Sequence, residues 1–119
     1  MLDFKEITIE DKALFDKYLK PFNSQASELT FTNFFMWRFF YRFKFTEING
    51  LLCIISEPKE GSPYSIIPIG EILGDNFKNT VFELNNYFKA LNWELQFKKV
   101  TEDQLQSFKN IVSDDKIVQ

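Results

Sequence analysis

The 119-residue sequence predicts an α+β fold in which a mixed, mainly antiparallel sheet is flanked by helices, and three observations carry that prediction. Two apolar runs meet at Asn49-Gly50 in "FKFTEINGLLCIISE". That pair tolerates positive φ at both turn positions, so residues 44–48 and 51–57 are expected to pair as an antiparallel hairpin. Phe77, Val81, Leu84, Phe88 and Leu91 recur at spacings of four and three, the period of an amphipathic helix over 76–91. In "WELQFKK", Trp93, Leu95 and Phe97 alternate with Glu94, Gln96 and Lys98, as in a half-buried strand.

The chain begins with "FKEI" (4–7), a short strand, followed by "TIED", where Thr8 and Asp11 have the spacing of a capping box for a helix over 9–20. Leu14, Phe15, Tyr18, Leu19 and Phe22 give that helix one apolar side, and Pro21 marks its expected end. After a polar joint at 24–27, Ser27 is expected to cap a second helix over 28–42. Beyond the hairpin, "PKEGSP" is a turn-rich loop. "YSIIPIG" (64–70) is then a third meander strand, loosened by Pro68, which has no N–H to give a ladder. "TEDQ" (101–104) caps a last helix over 102–111. The order β-α-α-β-β-β-α-β-α, in a single domain over 1–119, resembles the acetyltransferase-like fold of the N-acetyltransferase superfamily with its final strands missing.

Composition narrows the chemistry. A net charge of −3 gives no general polyanion footprint, which argues against wholesale wrapping of nucleic acid. With no histidine and one cysteine, the chain has no Cys/His zinc site, no internal disulfide and no histidine for acid/base work. Cys53 lies inside an apolar strand and is expected to be a buried small hydrophobe. There is no basic start followed by an apolar stretch, and the uncharged run from Leu29 to Trp37 is far short of a spanning helix. A cytoplasmic location with no membrane span is expected.

The segment "TFTNFFMWRFFYRF" (30–43) is the unusual one, with eight aromatic residues among its fourteen. As one helix it is apolar nearly all round, with Phe31, Phe35, Arg38 and Arg42 on one narrow face and Met36, Phe39, Phe40 and Phe43 on another. Such a helix is expected to be buried on more than one side, by this chain or by a partner. Arg38 and Arg42 are the only arginines beside twelve lysines. Two guanidinium groups four residues apart repel unless carboxylates or phosphates lie across them. Ion pairs with Glu28, Glu47 or another subunit are the first expectation, and phosphate contact the second.

An acyl-CoA site in this fold needs a glycine-rich turn after the fourth strand, so that amides at the next helix N-terminus can hold pyrophosphate. That place reads "GEILGDNF", where Gly70 and Gly74 lack the usual spacing and Glu71 and Asp75 bring negative charge. CoA binding is therefore not expected, and Asp75 reads as an N-cap.

Through "FKEITIEDK" (4–12), "SELTFTNFFMWR" (27–38) and "YSIIPIG" (64–70), the chain resembles the phosphatidylglycerol lysyltransferase C-terminal-like family. The Ser-Glu-x-x-Phe-x-Asn run ending in Trp37-Arg38 is the most specific part. The resemblance covers about 4–100, corresponding to the first half of a family member. Members are similar to two acetyltransferase-like domains in tandem, of the kind that move an amino acid from aminoacyl-tRNA to a lipid head group or peptide. The resemblance implies a non-catalytic amino-terminal half, with the family's second domain absent and aminoacyl or acyl transfer the activity of the whole. It assigns no catalytic, cofactor or metal residue to this chain. Glu28, Asn33, Trp37 and Arg38 are carried over as signature positions and, with Arg42, form the candidate interface or ligand-facing set. The expected partner is the missing second domain or another copy, met through the aromatic helix, with aminoacyl-tRNA a partner of the complete protein only. The alternatives are an autonomous interaction or dimerisation module and an acyl-CoA-dependent N-acyltransferase.

Overall fold

The computed structural model describes residues 2–22, 30–98 and 117–118. One sheet runs in chain order through β1 (Lys5–Glu6), β2 (Phe43–Ile48), β3 (Leu51–Ser56), β4 (Tyr64–Ser65), β5 (Phe97–Lys98) and β6 (Ile117–Val118). The first four pair antiparallel, and β5 and β6 add in parallel. The hairpin forms as expected, with Ile48 opposite Leu51 and Phe43 opposite Ser56. Asn49 (φ 53°) and Gly50 (φ 78°) make its turn, both in the positive-φ region that matches the twist of the flanking strands. The two residues of β6 are too few to leave a periodic signal, and this strand was not legible in the sequence.

Every residue of β3 is buried, because this central strand is covered on both faces. Leu52 and Ile54 join Phe43 and Phe45 on one face, while Leu51, Cys53 and Ile55 face the other. The first face is covered by α1 (Lys12–Phe22), which follows a 3-10 turn over Ile9–Asp11, and by α2 (Phe31–Met36). Phe15 sits at its centre, edge-on to Phe31, Phe34 and Phe45 with ring centroids 5.5, 6.1 and 5.1 Å away. After the four-residue α3 (Arg38–Tyr41), the second face is covered by α4 (Asn76–Ala90), which brings Phe77, Leu84 and Phe88 against Leu95 and Phe97.

Local chemistry sets the element ends. The Asp11 carboxylate accepts from the Thr8 N–H (2.7 Å) and the Thr8 hydroxyl (3.0 Å), holding the start of the first helical segment. Pro21 lies inside the last turn of α1, which continues one residue beyond it. In a final turn, its missing N–H forfeits a single bond. The third meander strand is interrupted, as Pro68 implies. The Ile66 N–H reaches the Ile54 carbonyl (2.8 Å), and Leu52 and Ile69 exchange a bridge on the far side of the gap. The helix expected over 102–111 lies outside the described residues.

The continuous helix expected over 28–42 is corrected. Thr30 is extended (φ −130°, ψ 155°), and its hydroxyl oxygen accepts from the Asn33 N–H at 3.1 Å, so α2 starts after Thr30 with Thr30 as its cap; Ser27 lies outside the described residues. Trp37 (φ −100°, ψ 10°) then separates α2 from α3, and Arg42 ends α3 in the left-handed conformation (φ 52°, ψ 52°). A straight helix would have carried Phe43 with it. The turn at Arg42 instead delivers Phe43 into β2, where it packs edge-on to Phe34 at 5.1 Å.

Candidate functional site

The aromatic segment reaches the surface where α2 gives way to α3. Phe31 and Phe34 point into the core, while Met36 (62%), Trp37 (44%), Phe39 (77%) and Phe40 (64%) are exposed. Phe39 and Phe40 are therefore not buried by this chain. Trp37 meets Phe40 and Tyr41 edge-on, with centroids 6.0 and 6.1 Å away. Trp37, Phe40 and Tyr41 thus form one ring cluster, while Phe39 lies on the side of Arg38 and lines the same cleft as that arginine. Asn33 is half-buried in the first turn of α2. Glu28 lies outside the described residues.

Arg38 is held from two sides. Its guanidinium carbon stands 3.6 Å from the Phe35 ring centroid and 4.3 Å from that of Phe39, and Nη1 donates to the Phe35 carbonyl. Among the described residues, no carboxylate lies within ion-pair distance of Arg38 or Arg42. The expected pairing with Glu47 does not form. Glu47 shares its face of β2 with Phe45, the side that α1 covers, and its carboxylate accepts from the Tyr18 hydroxyl instead. Burial first, and then that hydrogen bond, push the Tyr18 pKa up to about 12.

Both arginines line a cleft of about 670 Å³ between the β1–α1 connection, the α2–α3 bend and the start of β2. Lys44, Glu6 and Glu57 complete its charged lining, and Ile7, Phe35 and Phe43 form apolar wall. Sequence reasoning found the arginines but missed their neighbours. Glu6 and Lys44 are brought opposite each other by the β1–β2 register, and Glu57 follows Ser56, the partner of Phe43. Positions so far apart in sequence leave no local signal of this assembly.

The turn before α4, "GEILGDNF", is held by its own side chains. The Asn76 side chain accepts from the Leu73 N–H (2.9 Å) and donates to the Glu71 and Asn49 carbonyls (3.0 and 3.1 Å). The Asn76 N–H is in turn committed to the Leu73 carbonyl. Asp75 is the N-cap residue of α4, without a side-chain capping bond, so an exposed carboxylate stands at that helix start. Cys53 is buried, and burial pushes its thiol far above the ordinary range, which leaves no thiolate for nucleophilic work. No cluster of metal-ligating side chains occurs among the described residues, and none of their helices is long and apolar enough to cross a membrane.

A family model described as phosphatidylglycerol lysyltransferase, C-terminal, matches residues 19–118. Among solved structures, a conserved protein of unknown function from Bacteroides thetaiotaomicron is similar, with a TM-score of 0.85 and 20% identity. The match covers 96% of this chain and 37% of that one, so the chain spans little more than a third of the similar protein. At that identity the likeness shows a shared fold. No curated protein matches the chain.

Proposed function

The chain belongs to the phosphatidylglycerol lysyltransferase C-terminal family, and on that premise we propose that it is the non-catalytic amino-terminal half of a tandem acetyltransferase-like protein. The whole transfers an aminoacyl or acyl group, and a second domain docks on the aromatic face of α2 and α3. The observation that carries this proposal is the exposure of four large apolar side chains, Met36, Trp37, Phe39 and Phe40, along α2 and α3, in a chain that spans 37% of a similar protein. Large contiguous apolar patches are uncommon on monomers and mark surfaces that something else covers.

The chain's own chemistry supports the non-catalytic part. It has no histidine, its cysteine is buried, and at the start of α4 the Asn76 amide is tied to the Leu73 carbonyl and the Leu73 amide to the Asn76 side chain. Aminoacyl-tRNA and the acceptor belong to the complete protein. The same exposed face favours a second reading, an autonomous dimerisation module. An acyl-CoA-dependent activity is disfavoured by Glu71 and Asp75 at the turn that would hold pyrophosphate.

Incubating the chain alone with acetyl-CoA and an amine acceptor, and separately with lysyl-tRNA and phosphatidylglycerol vesicles, tests the proposal. No transfer is expected in either assay, and CoA should leave the melting temperature unchanged, since a ligand of the native state must raise it. Turnover by this chain without a second domain would overturn the non-catalytic assignment.

A further inference from the structure

The cleft beside α3 has a size and lining that the docking face alone does not explain. Its volume of about 670 Å³ falls in the range of small-molecule sites. Three cationic side chains line it, Arg38, Arg42 and Lys44. Among the described residues, none of the three forms an ion pair, and the only side-chain hydrogen bond among them is from Arg38 to the Phe35 carbonyl. Arg38 is also immobilised over two aromatic rings, so its remaining N–H donors stand in a fixed plane. A fork ordered in advance loses little further entropy when an acceptor arrives.

We propose that this cleft binds a small ligand that carries an oxyanion, a carboxylate or a phosphate, on an apolar body. The oxyanion lies against Arg38 and Arg42, both of which line the cleft, and takes charge-assisted hydrogen bonds from their guanidinium groups. The apolar body rests on Ile9 and Phe35, which line the cleft and keep accessible surface, with Ile7 and Phe43 buried behind the wall. Glu6 and Glu57 also line the cleft, leaving a formal balance of three positive to two negative charges. That balance favours one oxyanion and makes neutralisation of Glu57 favourable to binding. The site is built from this chain's residues alone and does not depend on the chain being half of a larger protein.

Calorimetric titration of the chain with phenyl phosphate, phenylacetate and phenethylamine tests the site. Saturable binding of one or both anions and none of the amine is expected, with the tighter anion identifying the head group. Arg42→Asn removes the charge at a left-handed position that Asn tolerates, so the fold is retained. It should weaken the anion about tenfold, the effect of losing one charge-assisted hydrogen bond. Arg38→Met, checked by its melting curve, should weaken it at least as much, and Glu57→Gln should strengthen it. The proposal is overturned if neither anion binds at millimolar concentration, if phenethylamine binds equally well, or if affinity is unchanged in both arginine variants. Weaker binding to Glu57→Gln would overturn it as well, since it would mean that the ligand needs that carboxylate.

Discussion

Tyr18 on α1 donates its hydroxyl hydrogen to the Glu47 carboxylate on β2 across 2.5 Å, joining residues 29 positions apart. This contact ties α1 to the first face of the sheet at the turn end of β2, five residues along the strand from Arg42. Tyr18→Phe should lower stability by about 1 kcal/mol near neutral pH, a low value for a bond to a charged group because both partners reach solvent.

The same pair gives a pH dependence of known sign. Burial first, and then Glu47, raise the Tyr18 pKa from 10.0 to about 12, so the folded chain holds the phenolic proton more tightly than the unfolded one. Its stabilisation is complete below pH 10 and is lost as the pH rises toward 12. Urea unfolding of the wild type and Tyr18→Phe should therefore show a stability gap that narrows across that interval. A gap that widened with pH would contradict the arrangement.

Two glycines should differ in their tolerance of a methyl group. At Gly70 (φ 151°) an added Cβ would stand 2.8 Å from a Leu51 methyl carbon and 3.0 Å from the Gly50 carbonyl oxygen, whereas at Gly50 (φ 78°) it would meet nothing within 4 Å. Gly50→Ala should cost about 1 kcal/mol from backbone strain alone. Gly70→Ala should cost about 2 kcal/mol or more, since backbone must also move. Thermal melts of the two variants rank them directly.

Cys53 should be inert in the folded chain. Its thiol is buried and held protonated by that burial, with the Glu83 carboxylate a smaller contribution in the same direction. Modification by a thiol-specific disulfide reagent should proceed at the rate of unfolding and accelerate in denaturant. Fast labelling under native conditions would show that β3 opens locally.

The hairpin and α4 were legible because each is announced by one strong local signal, the Asn49-Gly50 pair in one case and an unbroken three-four period in the other. The bend at Trp37 was not, because a segment apolar on every side carries no sidedness to show where a helix turns. Composition also cannot distinguish an aromatic residue buried by its own chain, such as Phe34, from one left outside, such as Phe40. The arginines of the cleft were visible as an exception to lysine usage. Their neighbours Glu6, Lys44 and Glu57 were not, because strand register alone brings them together.

That distinction between Phe34 and Phe40 is measurable. Phe34 is 1% exposed and packs against Phe15 and Phe43, so Phe34→Ala should cost about 3–5 kcal/mol. Phe40 touches only Trp37 and Tyr41 among the described aromatic rings, and Phe40→Ala should stay within about 0.5 kcal/mol. Equal losses would place Phe40 in the core and remove the docking face.

Sedimentation velocity of the isolated chain over a wide concentration range, for the wild type and for Phe40→Glu, tests the docking face most directly. With Met36, Trp37, Phe39 and Phe40 uncovered, the wild type should associate as concentration rises. A carboxylate at position 40 should leave the melting temperature nearly unchanged and hold the chain as a monomer, because burying an unpaired charge in an apolar contact is unfavourable. A wild type that stays monomeric throughout, or a Phe40→Glu variant that associates as the wild type does, would contradict the assignment of this face to a partner.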